Sequence, residues 1–289
     1  MKKSLKKKGI LICGGLTFFV AVFLYLSFDT FYVSGNFRTT QDPISSTQHV
    51  NLIGLRELRA SGSAPIRFSE LQKRTSHIKE PKIIVDGMAE LHGFIKGIPT
   101  TFFAYQRKSP NLKHVLRRWI FTGTSQVRPD LVMTEEEEAK KYGFSYKKLT
   151  IGSKFIAPDK DIDEIMDFYE NLPQNAWLHF HCAQGKGRTS MLLVLLDIVK
   201  NAPKVSLEDI VKRHHVLGSE NLMIIDAWKK GSYTKKQLEE RKEFLMKFYS
   251  FICQKKAGEI QRWSDWNHKW KLEHQAKAST AALLGEHLK

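Results

Sequence analysis

The chain has 289 residues, enough for one large domain with a sizeable hydrophobic core. Its 46 lysines and arginines against 30 acidic residues give a formal net charge of +16. This charge favours a polyanionic partner (a nucleic acid, an anionic membrane or a polyphosphate) over a merely solvated basic surface. The sequence lacks zinc-finger spacing, an RNA-binding aromatic motif and a basic heptad helix, so we expect no nucleic-acid partner. Nothing in it indicates a protein partner, and its 3 cysteines indicate no disulfide framework.

Residues 1–30 are predicted to be a targeting segment. Lysines crowd the first eight residues, and residues 9–28 then carry no charge. A basic start before an apolar run is typical of an export signal, and a helix of this length also suffices to span a bilayer. A cleaved signal peptide and a retained transmembrane anchor both remain open. Either places the following domain outside the cytoplasm, because the lysines keep the N-terminus inside. The uncleaved form would attach the protein to a membrane.

The remaining chain divides into a polar linker at 31–50, a domain at 51–266 and a polar C-terminal tail at 267–289. The domain alternates predicted strands and helices, which indicates an α/β fold with a sheet flanked by helices. In chain order these are a strand at 82–86, strands within 94–105, a helix at 134–143 that starts in a capping box, a strand at 144–151, a helix from 158 to Pro173, a strand at 177–180, and helices at 190–198, 206–218 and from 234 onward.

The most informative segment lies between the strand at 177–180 and the helix at 190–198. It places Cys182 and Arg188 at the two ends of a glycine-containing loop. Backbone N–H groups of such a loop and of the following helix N-terminus can cradle an anion. The helix dipole and a nearby arginine both favour a thiolate, and a guanidinium matches phosphate in bidentate fashion. The segment therefore predicts nucleophilic attack on phosphorus, whereas the alternative is a buried core cysteine with Arg188 merely starting a helix.

This loop resembles the signature loop of the protein-tyrosine-phosphatase superfamily, and further segments resemble one subfamily, the PTP-like phytases, which act on myo-inositol hexakisphosphate. These segments are LRASGSA at 58–64, IVD at 84–86, ELHGFIKG at 90–97, MTEEE at 133–137, LPQNAWLHFHC at 172–182, ERKEFL at 240–245 and WSDW at 263–266. The resemblance implies a protein-tyrosine-phosphatase-like α/β domain with a small partial-barrel insertion. It also implies an inositol polyphosphate substrate, stepwise phosphate removal and no cofactor, metal included.

Residue roles follow from the same resemblance. Cys182 would be the nucleophile, Arg188 the phosphate clamp and Thr189 a support for the thiolate, with helix capping as the alternative or additional role of Thr189. His181 would orient the loop and help to lower the pKa of Cys182, or else be a satisfied core histidine. Arg59 would line the substrate pocket, or else form a surface ion pair. The loop itself would bind substrate through Ala183, Gln184, Gly185, Lys186 and Gly187, and the charge of Lys186 favours a multiply phosphorylated ring.

One departure concerns the general acid. The subfamily carries an aspartate in an Asp-His-x-x-Pro segment, where this chain reads GSKFIAP at 152–158. Asp159 and Asp161 could substitute as the acid, although capping the helix that begins there is favoured for both. Three interpretations therefore stay open: an active phosphatase, a pseudo-phosphatase that binds inositol phosphates or phosphoinositides, and a protein tyrosine or dual-specificity phosphatase. Lys186 and the extended resemblance argue against the third.

Overall fold

The computed structural model describes residues 15–20, 22, 35–45, 47, 49–89, 92–95, 97–100, 133–152, 156–227, 233–258 and 262–286. Most of the predicted targeting segment lies outside these residues, as does the 101–105 part of the segment predicted to contribute strands. Among the helices in these ranges, none combines the length and the apolar character needed to cross a membrane.

In the described part of the chain, seven short strands form two sheets. They are β1 (Arg38–Thr39), β2 (Ala60–Ser63), β3 (Lys82–Asp86), β4 (Gly93–Ile95), β5 (Ile98–Thr100), β6 (Ser145–Lys148) and β7 (Trp177–His181). The central sheet has the order β1-β2-β7-β3-β6, in which only β1 is antiparallel to its neighbour, and β4 pairs with β5 in a small separate sheet. The register aligns Ser63 and Asp86 with His181, so the carboxyl ends of β2, β3 and β7 meet at one edge.

Helices accompany these strands in the ranges that the structure describes, and a 3₁₀ turn covers Arg56–Leu58. The helices are α1 (Phe68–Arg74), α2 (Glu135–Lys141), α3 (Asp159–Glu170), α4 (Gly187–Asn201), α5 (Leu207–Val216), α6 (Lys235–Lys256) and α7 (Trp263–Glu286). The predicted capping box is present, because the Thr134 hydroxyl accepts from the Glu137 backbone N–H and the Glu137 carboxylate accepts in return.

The alternation of side chains along β3 separates two apolar clusters. Ile83 and Val85 join a large core that contains most of the buried side chains of α3 to α7, whereas Ile84 faces a smaller cluster shared with α1 and α2. Helix α4 is buried along almost its whole length. Burial on both faces explains the apolar run from Ile83 to Val85 in β3, which is typical of parallel strands covered on both sides.

Two segments outside the predicted domain at 51–266 contact it. The segment assigned to a linker contributes strand β1, whose Arg38 side chain is only 4% exposed. The segment assigned to a polar tail continues α7, and Asn267 is buried against the start of α3. Arg38 and Asn267 make hydrogen bonds inside the domain, so the polarity of a segment does not by itself show that its side chains face solvent.

Candidate active site

The phosphate-loop candidate, residues 182–188, follows the carboxyl end of β7 and leads into α4. Cys182 is 3% exposed and packs against Met88 and Ala183 at the end of β3. Arg188 and Thr189 lie in the first turn of α4, and both are buried. The Lys186 side chain makes no capping hydrogen bond to this turn. The helix therefore presents its N-terminal backbone N–H groups, with their partial positive charge, beside the thiol.

Gly185 fixes the course of this loop. Its φ is +66°, a conformation that residues with a Cβ adopt at a cost. An added Cβ would lie 2.2 Å from the backbone nitrogen of Ala64 and 2.3 Å from the carbonyl carbon of Ser63. These atoms belong to the backbone at the end of β2 and cannot rotate away. The second glycine, Gly187, has a looser fit, with the Tyr233 hydroxyl 3.0 Å from the position of its Cβ.

The surroundings of Cys182 favour its thiolate. Burial opposes ionisation, but the Thr189 hydroxyl, the Arg188 charge and the backbone N–H groups of Thr189 and Gln184 outweigh it. Together they hold the pKa of the Cys182 thiol below its ordinary value. Since only the thiolate is an effective nucleophile, the loop activates this residue without a separate base.

Arg188 is held at the carboxyl end of β3. Its Nη1 donates to the Gly87 carbonyl oxygen at 3.4 Å, and the Gly87 N–H donates to the His181 carbonyl at 3.0 Å. The guanidinium is thereby tied to the same strand end that supports Cys182. A phosphate group held by Arg188 would face the cysteine sulfur.

Arg38 braces the loop from behind, a role that the sequence did not reveal. Its guanidinium donates to the Gly185 carbonyl oxygen at 2.8 Å, to Ser190 Oγ at 3.1 Å and to Ser219 Oγ at 2.8 Å. Burial lowers the pKa of Arg38 to about 10, against the raising influence of Cys182 and Glu220, so the group stays charged at neutral pH. A single arginine in a polar segment carries no local pattern, and its partners lie about 150 residues away in the chain.

Four buried ionisable side chains, Asp86, His92, Glu135 and His181, form what we call the buried quartet. His92 Nε2 lies 2.6 Å from Glu135 Oε2 and 3.3 Å from Asp86 Oδ2. Burial opposes protonation of His92, but these two carboxylates outweigh it and raise the pKa of His92 to about 10. The quartet lies directly behind the strand ends from which Cys182 and Gly87 emerge.

His181 takes part in this quartet. Its Nε2 lies 2.8 Å from Glu135 Oε1, on the side of β7 away from the thiol, which follows from the alternation of side chains along a strand. Its charge is not among the groups that lower the pKa of Cys182. The structure therefore makes His181 a link between the loop and the quartet.

Gln184 and Lys186 are the exposed residues of the loop. The Lys186 side chain is 53% exposed, and its Nζ lies 3.9 Å from Glu220 Oε1. The Gln184 carbonyl accepts from Asn36 Nδ2 at 2.8 Å. The loop thus offers one mobile cation at its rim, while its backbone is held from the β1 side.

Arg59 lies at the amino end of β2, away from the loop at its carboxyl end. It precedes β2, whose carboxyl end is the one near the loop, and its Nη1 pairs with Glu80 Oε1 at 2.9 Å. Four residues of extended chain separate the two ends of β2 by about 13 Å. The assignment of Arg59 to the substrate pocket is therefore corrected to the surface ion pair.

The Asp159 carboxylate accepts hydrogen bonds from side chains of α7. Its Oδ1 accepts from Trp263 Nε1 at 2.8 Å and from Asn267 Nδ2 at 2.7 Å, and its Oδ2 lies 3.4 Å from Lys271 Nζ. It forms no capping hydrogen bond at the start of α3, where Pro158 is the capping residue. In the structure Asp159 therefore holds the C-terminal helix α7 against α3, rather than acting as the general acid or as a helix cap. Residues 153–155, where the acid segment would lie, fall outside the described residues.

Comparisons with known proteins identify PTP-like phytases as similar proteins. The family model of PTP-like phytases, described as inositol hexakisphosphate, matches residues 100–200. The PTP-like myo-inositol phosphatase from Mitsuokella multacida, solved with myo-inositol-(1,3,4,5)-tetrakisphosphate, matches 84% of this chain at 26% identity and a TM-score of 0.65. The chain thus matches the PTP-like phytases in sequence over residues 100–200 and in fold over most of its length. A second similar structure, the PTP-like phytase from Bdellovibrio bacteriovorus, matches 81% of this chain and 89% of its own at 28% identity and a TM-score of 0.59.

Other relatives are bacterial proteins whose lengths differ from that of this chain. The effector protein hopD2 of Pseudomonas syringae is 24% identical over 268 residues, which cover 82% of this chain and 57% of that protein. The uncharacterized protein AvrBs1.1 of Xanthomonas euvesicatoria is 32% identical over 99 residues, or 34% of this chain and 90% of its own. The chain spans about half the length of hopD2 and 46% of the Mitsuokella phosphatase.

Proposed function

We propose that the protein is a cysteine-dependent phosphatase that removes phosphate groups from inositol polyphosphates. The observation that carries this proposal is the thiol of Cys182, whose pKa is held low by Thr189, Arg188 and the loop N–H groups within an anion cradle. The match to the family model of PTP-like phytases supports the substrate class.

The proposed reaction has two displacements. The Cys182 sulfur forms a bond to phosphorus while the bond from phosphorus to the inositol oxygen breaks, and that oxygen takes up a proton. Water then attacks phosphorus, the sulfur–phosphorus bond breaks, and phosphate leaves with the thiolate restored. Arg188 and the loop N–H groups stabilise the phosphoryl oxygens during both steps.

The loop rim supports a multiply phosphorylated substrate. Lys186 projects beside the cradle with 53% of its side chain exposed, so it can reach a phosphate next to the one held by Arg188. The chain carries a net charge of +16, which draws polyanions toward it. The Mitsuokella relative was solved with a bound inositol tetrakisphosphate, which is consistent with this choice.

The source of the leaving-group proton distinguishes two versions of the proposal. The segment GSKFIAP offers no carboxylate, and Asp159 is bonded to α7. An enzyme that draws this proton from solvent would forgo about 10²–10⁴-fold in rate but would still turn over. The same observation favours a second candidate, a pseudo-phosphatase that binds inositol phosphates without hydrolysing them.

Phosphate release from inositol hexakisphosphate by wild type and by Cys182→Ser tests the proposal. The phosphatase proposal expects release by wild type that exceeds the rate of the variant at least 10³-fold, roughly the contribution of a nucleophile. Equal rates would reject the enzyme, and tight inositol-phosphate binding in the same sample would then establish the binding module. A phosphotyrosine peptide serves as the control substrate, and preferential release from it would indicate a protein phosphatase.

We further propose that the domain acts outside the cytoplasm and that the uncleaved chain is held at a membrane. The lysine-rich start and the uncharged residues 9–28 support this location. Cell fractionation with protease treatment of intact cells tests it, since a cytoplasmic domain would be protected and soluble.

A further inference from the structure

The buried quartet has the composition of a cation site. Its four donors come from separate parts of the fold: Asp86 ends β3, His181 ends β7, Glu135 begins α2, and His92 precedes β4. The side chains of Asp86, Glu135 and His181 are at most 5% exposed, and that of His92 is 6% exposed. One ligand atom from each residue lies within 4.8 Å of all the others.

The separations suit a tetrahedral ion. The nearest separations between imidazole Nε2 atoms and carboxylate oxygens are 2.6 Å, 2.8 Å, 3.3 Å and 3.9 Å, and they involve both oxygens of each carboxylate. A four-coordinate zinc ion with bonds of about 2.0 Å has ligand atoms about 3.3 Å apart. Small side-chain rotations would therefore bring all four donors to zinc distance.

The buried carboxylates of Asp86 and Glu135 need positive charge close to them. Two carboxylates are buried together, and the nearest lysine, Lys148, is half-exposed and lies 4.0 Å from Asp86 Oδ2. Two imidazolium rings would balance them, but each ring would then carry two N–H donors in need of acceptors. One divalent cation balances the same charge and uses the ring nitrogens as ligands instead.

His181 provides the independent observation. Neither of its ring nitrogens makes a hydrogen bond, although the ring is 1% exposed. Glu135 Oε1 is only 2.8 Å from Nε2, so the two atoms are close but not aligned as donor and acceptor. A ring that binds a cation through Nε2 would leave one nitrogen without a partner rather than two.

Hydrogen bonds outside the quartet already orient Asp86. The Tyr146 hydroxyl donates to its Oδ2 at 2.8 Å, and the Met88 N–H donates to its Oδ1 at 2.7 Å. Such outer bonds are typical of metal-binding carboxylates, where they fix the direction of the remaining lone pairs. Two nitrogen and two oxygen donors select zinc-like ions over magnesium or calcium, which prefer oxygen alone.

We propose that Asp86, His92, Glu135 and His181 bind one divalent cation of the zinc class. The ion would tie β3, β7, α2 and the turn before β4 together directly behind the nucleophile loop. It would not contact substrate, and it takes no part in the proposed reaction. The site is therefore independent of the proposed function, since a protein without turnover would bind the ion equally well.

Calorimetric titration of metal-stripped Cys182→Ser protein with zinc chloride tests this site, because the serine removes the nucleophile as a competing ligand. One ion per chain is expected. Adding His92→Gln should weaken the affinity at least about 10-fold, whereas His268→Gln, at an exposed histidine of α7, should leave it unchanged. Absence of binding, or equal binding by the His92→Gln protein, would overturn the proposal.

A second measurement needs no change in the quartet. Crystals of the Cys182→Ser protein soaked in cobalt or zinc should show one anomalous scattering peak between the four side chains. A peak at Cys253 or at surface histidines, with none in the quartet, would overturn the proposal even if the titration showed binding.

Discussion

The amino and carboxyl ends of strands β2 and β7 differ in how far their charged side chains are buried. At the amino end, Arg59 and Glu80 form an ion pair whose side chains are 37% and 39% exposed. At the carboxyl end, Arg38, Arg188, Asp86 and His181 are almost completely buried. Arg38 donates to the Gly185 carbonyl and Arg188 to the Gly87 carbonyl, while Asp86 accepts from the Tyr146 hydroxyl. Exposed pairs contribute little to stability, whereas buried charges require partners in fixed positions. The comparison teaches that burial, rather than charge itself, marks the functional end of this sheet.

Replacement of Gly185 by alanine should produce the largest effect at the carboxyl end. The new Cβ would meet the backbone of Ser63 and Ala64 at 2.2 Å to 2.3 Å, so the loop must move. A displacement of about 1 Å at a reacting group costs about 10²-fold in rate. We expect kcat/KM for inositol hexakisphosphate to fall at least by that factor.

Gly143→Ala is the matched control for this change. Gly143 also has a positive φ, +73°, but its Cβ would meet no atom within 4 Å. Its substitution should cost about 1 kcal/mol of unfolding free energy and leave kcat/KM unchanged. Equal activity of the two variants would show that the close approach at Gly185 does not shape the loop.

The next comparison is between Arg38, which pairs with Gly62 in β2, and Arg59, which precedes β2. Arg38→Met removes the donors to Gly185, Ser190 and Ser219, and it should lower the unfolding free energy by about 2–4 kcal/mol. Arg59→Met breaks the exposed pair with Glu80 and a long, exposed bond to the Asn175 carbonyl, and it should cost less than about 1 kcal/mol. Urea unfolding measures both, and similar losses for the two variants would contradict the contrast between the two ends.

Thr189→Val should change the pH dependence of turnover. The hydroxyl stabilises the Cys182 thiolate, so its removal raises the pKa of the thiol. The thiolate is the reactive form above its pKa, and the acidic limb of kcat/KM should therefore move to higher pH. The rate should fall more in mildly acidic than in alkaline buffer. An unchanged acidic limb would mean that Thr189 does not act on the thiol.

Asp159→Asn should have the smallest effect on turnover. Its carboxylate bonds to Trp263 and Asn267, so the variant should lose about 1 kcal/mol of stability through looser docking of α7. The rate of phosphate release should stay within about twofold of wild type, since general-acid loss would cost about 10²–10⁴-fold. A loss of that size would restore Asp159 as the acid.

The features predicted correctly from sequence are local ones. The strand at 177–180, the glycine loop and the helix behind it follow from periodicity within about twenty residues, and β7 and α4 extend that prediction by only a few positions. The capping box at Thr134 is likewise a contact across three residues. Such features are determined by neighbours in the chain, so patterns in the sequence reveal them.

The features that sequence did not reveal depend on distant pairing. Arg38 reaches Gly185 because β1 pairs with β2, which then pairs with β7, and no local pattern marks it. The buried quartet joins residues from four elements for the same reason. Arg59 was misplaced because a matching motif does not tell which end of a short strand a side chain occupies.

Direct detection of the covalent intermediate tests the central claim, that the carboxyl end of the sheet activates Cys182 as a nucleophile. Wild-type protein is mixed with inositol hexakisphosphate, quenched in acid during turnover, digested and analysed by tandem mass spectrometry. Our account predicts one phosphoryl group on Cys182 and none in the Cys182→Ser protein. Turnover without phosphorylated Cys182, or a phosphoryl group on another residue, would contradict it.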